Sequence, residues 1–234
     1  MDIKEIKRKG KEAFKANYWS SVIVAFVLGL LSMGTTYYSS SNIKGETQEL
    51  KAQMSNLTPA EVAAVIAVVS GIITLVVVVS LVLKIFLFNP LKVGAYRFFR
   101  LNTEDASVGA GTLTEGFGDY GHTFFTLFLR DLFLVLWTML LIIPGIVKAY
   151  SYMLIPYLIK DDPELSAAET ITRSRQLMNG YKWKAFVMDL SFLGWAILGA
   201  ITFNLVNIFW TNPYRENARA RFYLEVLNNN NTTV

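Results

Sequence analysis

The chain has 234 residues, 53% of them hydrophobic and 17% charged, with a formal net charge of +4 and a mean hydropathy of +0.38. A soluble domain averages roughly 45–50% apolar and about 25% charged, so this balance is that of an integral membrane protein. The absence of cysteine and the single histidine, His122, exclude a disulfide framework and a thiolate metal site, and argue against a histidine metal site or catalytic triad.

Residues 2–16 place Ile3, Ile6, Ala13 and Phe14 on one helical face, with Lys4, Lys7, Arg8, Lys9, Lys11 and Lys15 around the rest. The pattern predicts a basic amphipathic helix at a membrane surface. Tyr18 and Trp19 follow as interfacial anchors, and Val22 to Tyr38 reads as a first, uncleaved span. Residues 39–60 are a polar outer loop. Glu61 to Phe88 is long enough to cross a bilayer as a helix, which decides against strand despite its valines. Asn89-Pro90 kinks that helix, which continues to Arg100, with Lys92, Arg97 and Arg100 marking the cytoplasmic side. The glycine-rich stretch 102–121 predicts a flexible loop with a short helical turn at Leu113–Phe117.

Next come two apolar runs, about 123–143 and 146–160, separated by Pro144-Gly145. Proline presets one backbone angle and glycine admits positive φ, so the pair reads as a hairpin turn. Asp162-Pro163-Glu164 opens an interfacial helix over 163–179, with Ser166 and Glu169 spaced as a capping box and Asn179-Gly180 ending it. Tyr181 and Trp183 are a second pair of interfacial anchors. Ala185 to Thr211 is too long for one upright span, and splits into spans near 184–199 and 201–222. Residues 228–234 predict a disordered tail after a single membrane domain, 1–227.

Two similarities suggest an internal repeat. KEAFKANYW and RQLMNGYKW end on Trp19 and Trp183, and Ile85-Phe86-Leu87-Phe88-Asn89-Pro90 resembles Ile208-Phe209-Trp210-Thr211-Asn212-Pro213. Pro156 sits similarly in the fourth span. The expected fold is therefore all-α, a polytopic helical bundle of about six spans in three hairpins. Five spans would leave Arg215, Arg219 and Arg221 outside, against the positive-inside rule. Both termini are then cytoplasmic in a multi-pass plasma-membrane protein.

Charges inside spans cost roughly 2.5–3.5 kcal/mol each at a helix centre, so Arg130, Asp131 and Asp189 need partners. An Arg130–Asp189 pair would clamp the second hairpin to the third. A proton or substrate path lined by Asp131 and Asp189 is the alternative. Lys84 and Lys148 can snorkel, Lys148 from just beyond the outer turn. Gly194, Ala196, Gly199 and Ala200, with Gly29 and Gly34, favour close helix contact. No catalytic, cofactor or metal constellation is legible.

At Ile142-Ile143-Pro144-Gly145-Ile146-Val147-Lys148-Ala149-Tyr150-Ser151-Tyr152 the chain resembles a known family. So it does at Asp162-Pro163-Glu164-Leu165, at Ser174-Arg175-Gln176-Leu177-Met178-Asn179-Gly180-Tyr181-Lys182-Trp183, at Asp189-Leu190-Ser191-Phe192-Leu193-Gly194-Trp195 and at Asn212-Pro213-Tyr214. The family is that of bacterial integral membrane proteins catalogued as domain of unknown function 975. The polar insert 39–60 departs from it in length. The resemblance implies a multi-span plasma-membrane protein and carries no catalytic residue. The expected role is non-enzymatic: organising membrane lipids, through anionic headgroups, or partner membrane proteins, a second copy included, with no nucleic acid. The alternative is a small transporter using Asp131 and Asp189.

Overall fold

The structure, a computed structural model, describes residues 1–33 and 58–231. The polar loop up to residue 57, Gly34, the predicted end of the first span at Tyr38 and residues 232–234 lie outside the described residues. The described chain is all-helical: α1 (Ile3–Ala16), α2 (Tyr18–Met33), α3 (Pro59–Leu83), α4 (Asn89–Asn102), a 3-10 helix (Ala110–Phe117), α5 (Tyr120–Leu140), α6 (Ile142–Ser151), α7 (Ile155–Asp161), α8 (Ala167–Leu177), α9 (Lys182–Leu190), α10 (Leu193–Ile201) and α11 (Asn212–Asn231). Two π-helical turns, Lys84–Phe88 and Asn207–Thr211, each run directly into an Asn-Pro pair. The chain divides into two compact units, Met1–Leu31 with Asn89–Val234, and Ser32–Phe88.

In the smaller unit, Thr58 caps α3. Its hydroxyl accepts from the Glu61 amide at 3.4 Å, while the Glu61 carboxylate accepts from the Thr58 amide at 2.8 Å. This reciprocal capping fixes the helix start just ahead of its valine- and isoleucine-rich length. Its large apolar side chains from Val65 to Val79, and Val82 and Leu83 after them, are exposed.

In the larger unit, α1 packs on α11. Gly10 lets the two backbones meet: a Cβ there would lie 2.7 Å from Ala218 Cα. Ile6 and Phe14 are buried in the shared core, which at roughly 1.5–3 kcal/mol per fully buried large side chain is a substantial docking energy. The apolar face expected over residues 2–16 packs on α11 through Ile6, Gly10 and Phe14. The second helix expected at an interface is also packed on protein. Its capping box at Ser166 and Glu169 is present, and the bonds from Ser166 hold the Glu169 carboxyl below its ordinary range. Yet the helix begins at Ala167, Asp162 caps the end of α7, and its face of Ala167, Thr170, Ile171, Ser174 and Leu177 is buried.

The expected flexible loop is also tightly held. The 3-10 helix lies on α4 so closely that a Cβ on Gly94 or Gly116 would collide with the carbonyl oxygens of Leu113 and Pro90. These glycines serve close approach. Nor does disorder begin at Asn228: α11 continues to Asn231, with Asn229 and Asn230 donating to the carbonyls of Glu225 and Val226 at 2.6 and 2.8 Å.

α5 and α6 fold back on each other, but the chain turns at Leu141, whose backbone is extended, three residues before the expected Pro144-Gly145 turn. Pro144 stands in the first turn of α6, where its missing N–H costs nothing. Gly145 meets α5, since a Cβ there would lie 2.6 Å from Thr138 Oγ1. A second fold-back joins α10 to the π turn through Phe203 and Asn204, both at positive φ, and Gly199 abuts the Asn207 side chain. Gly29 and Gly194 have open space around them. Among the described residues, four helical stretches are long and apolar enough to cross a membrane: Pro59–Ser80, Tyr120–Leu140, Ile142–Asp161 and Lys182–Ile201; α1 and α2, bent by 105°, make a fifth if the pair is one span.

Candidate functional site

Asp189 of α9 meets a group of charges on α11. Pro213 has no N–H to bond the Phe209 carbonyl one turn earlier, and the Tyr18 hydroxyl donates to that carbonyl at 3.1 Å. From this start α11 projects Arg215, Glu216 and Arg219. Arg219 grips Asp189 of α9 with two parallel bonds, Nε to Oδ1 at 3.0 Å and Nη2 to Oδ2 at 2.9 Å. Its third arm donates to Glu216 Oε1 at 3.2 Å, which also accepts from Arg215 at 3.3 Å. Tyr150 of α6 donates to Asp189 Oδ2 at 3.4 Å. Two guanidinium groups and two carboxylates thus balance in one place, the arrangement that makes charge tolerable away from water.

The predicted Arg130–Asp189 ion pair does not form. Arg130 bonds its neighbour Asp131 through Nε and Nη2, at 3.0 and 2.8 Å, and the partner of Asp189 is Arg219. The neighbourhood was nevertheless legible. Arg130, Asp189 and Arg219 line one cleft of about 320 Å³ with Tyr96, Tyr150 and Pro156. A second cleft of similar size reaches Asp189 with Phe186, Asn207, Thr211 and Arg215. Arg219 was missed because Arg215, Arg219 and Arg221 read as topology signals; the spacing of Glu216 and Arg219, one helical turn apart, was the available clue.

Two further polar centres carried no sequence signal. Asn102 Nδ2 donates to Asn217 Oδ1 at 2.7 Å and to the Ala13 carbonyl at 3.2 Å; Asn17 Nδ2 donates to Asn102 Oδ1 at 2.9 Å and to the Val108 carbonyl at 2.7 Å. Asn217 donates to Ser21 Oγ at 3.3 Å. With Asn102, Asn217 and Ser21 buried, these bonds lock the α1–α2 bend to α4 and α11. At the far end of α7, Asp161 accepts from Arg97 at 2.6 Å, from Arg100 at 3.0 Å and from Tyr223 at 3.0 Å, beside a cleft of about 440 Å³ that also holds Lys160 and Arg173.

The four predicted interfacial anchors divide. Trp19 and Trp183 are 69% and 72% exposed. Tyr18 and Tyr181 are half-buried, Tyr18 against Phe14 and Tyr181 beneath the Lys184 ammonium. Lys148, expected just beyond an outer turn, lies over the Trp137 ring at 4.4 Å.

Over its described residues the protein is all-helical, with four or five segments able by length and composition to cross a membrane. Residues 126–230 match the family described as "Protein of unknown function (DUF975)". That stretch contains the motifs whose resemblance to the family catalogued as domain of unknown function 975 was read from the sequence, and the match bears out the resemblance over this part of the chain. No curated protein and no solved structure matches the chain.

Proposed function

We propose that this protein is a non-enzymatic, multi-pass plasma-membrane module of bacteria that organises lipids or partner membrane proteins, with both termini in the cytoplasm. The observation that carries the threading is the backbone contact of Gly10 with Ala218. Helices α1 and α11 lie side by side, which supports one membrane side for both termini. An even number of membrane segments, four or six, fits that arrangement, and five does not. Support for the role comes from the outward apolar faces of α5, α6 and α10, where Phe125, Leu136, Ile143, Ile197 and Ile201 are each more than half exposed, while the charges beneath them pair with one another. Because apolar faces of α1 and α8 are covered by protein, lipid contact falls to the exposed faces of those hairpins.

The chain has no cysteine, so single-cysteine variants need no prior engineering. Lys4→Cys and Asn228→Cys should react with a membrane-impermeant maleimide only after cells are permeabilised. Labelling of Asn228→Cys in intact cells would sink the six-segment threading. The transporter reading keeps one specific support: two clefts reach Asp189, while Asp131 adjoins Arg130 on one of them. Full folded yield of Asp189→Asn with loss of solute flux would favour it; loss of folded protein favours the module.

A further inference from the structure

Four cations from three helices line one cleft. Arg97 and Arg100 come from α4, Lys160 from the end of α7 and Arg173 from α8, around a volume of about 440 Å³. Two carboxylates, Asp161 and Asp162, share the lining, so positive charge is in excess. Asp161 is fully engaged: Oδ1 accepts from Arg97, and Oδ2 from Arg100 and Tyr223. It fixes both guanidinium groups and leaves the Nη2 of each without a hydrogen bond among the described residues. Their other acidic neighbours, Glu115 and Glu104, are more than half exposed, where an ion pair neutralises little. Lys160 and Arg173, both half-buried, form no ion pair among the described residues.

A concave wall with surplus positive charge attracts an anion. An arginine fork beside a lysine ammonium suits a phosphoryl group, which takes parallel bonds from the first and a point charge from the second. The volume falls within the range of small-molecule sites, roughly 300–1,000 Å³. A lone phosphate would leave most of it empty, so the fitting ligand has a second phosphoryl group or an organic body. Leu227 is the one aliphatic side chain in the lining, and none of the exposed large apolar side chains reaches it. The cleft therefore opens to water, away from the apolar hairpin faces.

We propose that this cleft binds a soluble phosphate ester or diphosphate, with Lys160 and Arg173 gripping the phosphoryl oxygens and Arg97 and Arg100, held by Asp161, completing the positive wall. A phospholipid headgroup offers the same oxygens, but the lining has no apolar track for its acyl chains. The proposal goes beyond the lipid-organising reading and does not depend on it.

The test is isothermal titration calorimetry of the purified full chain in a non-ionic detergent, with inorganic pyrophosphate as the probe and phosphatidic acid in the micelles as competitor. The wild type should bind one pyrophosphate per chain. K160Q/R173Q should weaken binding by about tenfold or more, while K160R/R173K keeps it. D162N, which removes a negative charge from the lining, should tighten it. K4Q/K15Q, which removes the same charge from α1, should leave it unchanged. Lys160 and Arg173 hold no ion pair, so their loss spares the Asp161 bonds, and circular dichroism melts establish that each variant is folded. No binding by the wild type, undiminished binding by folded K160Q/R173Q, or an equal loss in K4Q/K15Q overturns the site; none of these touches the lipid-organising reading. Displacement of pyrophosphate by phosphatidic acid at a lower concentration than by pyrophosphate itself overturns the soluble ligand and assigns the cleft to a lipid headgroup.

Discussion

Replacing Arg219 by glutamine strips two carboxylates of the cation they share. Asp189 and Glu216 have side chains only 18% and 4% exposed, and Arg219 supplies two bonds to the first and one to the second. Breaking a buried pair from one side costs about 3–5 kcal/mol, because the stranded charge remains. Asp189→Asn is milder. Arg219 keeps Glu216, and the loss is that of charge-assisted hydrogen bonds, about 1–3 kcal/mol. The expected order is therefore Arg219→Gln worse than Asp189→Asn, with a large coupling between the two in a double-mutant cycle. Arg130→Gln should couple to Asp189→Asn by no more than about 0.5 kcal/mol, since the two share no bond. Thermal or denaturant unfolding in detergent, followed by tryptophan fluorescence, measures all four. A strong Arg130–Asp189 coupling, or Asp189→Asn costing more than Arg219→Gln, would refute this account of the charge centre.

Gly10→Ala should destabilise despite the roughly 1 kcal/mol that alanine gains over glycine in a helix interior, because the new Cβ meets the Ala218 backbone; Gly29→Ala, with open space at its Cβ, should show the helix gain, and the same unfolding assay separates the signs. Burial, with Asp161 beside it, pushes the Tyr223 phenol above its ordinary value. Its folded pKa is raised, so its contribution is complete below about pH 10, where the unfolded tyrosine begins to ionise, and is lost as pH rises further toward the folded value; Tyr223→Phe should flatten stability against pH in that alkaline range.

Periodicity revealed the helices because burial and exposure follow from it directly. It could not say what each apolar face would meet. Ile6 and Phe14 look the same whether they enter a membrane or pack on α11, and only the tertiary structure distinguishes the two. Gly116 reads as a loop residue and Gly10 and Gly94 carry no signal inside their predicted helices, whereas the use of all three is backbone contact, with segments up to about two hundred residues away in sequence. The charge centre was half legible. Asp189 stood out because carboxylates are rare in apolar runs, but its partner lay among arginines that charge asymmetry already explained. The asparagine network was silent, since Asn17, Asn102 and Asn217 have no spacing in common and gain meaning only once three helices bring them together.

The repeated Asn-Pro pairs show how chain chemistry marks a change of surroundings. Before each pair the side chains face outward: Phe86 and Leu87 ahead of Asn89, Leu205 and Phe209 ahead of Asn212. After each pair they are enclosed, with Asn89, Val93, Tyr214 and Glu216 all buried. A helix crossing that boundary must turn a different face to its surroundings. A π turn does this by inserting one residue, which rotates the following side chains by about 100°. Proline makes the insertion inexpensive, since the amide that would have closed the ordinary ladder is absent, and the carbonyl set free can serve elsewhere. At Pro213 that carbonyl is Phe209's, and Tyr18 takes it. The resemblance between the two segments is thus a repeat of backbone mechanics: each carries the chain from an exposed apolar helix into a packed polar one, and the second aims Arg215 and Arg219 toward Glu216 and Asp189.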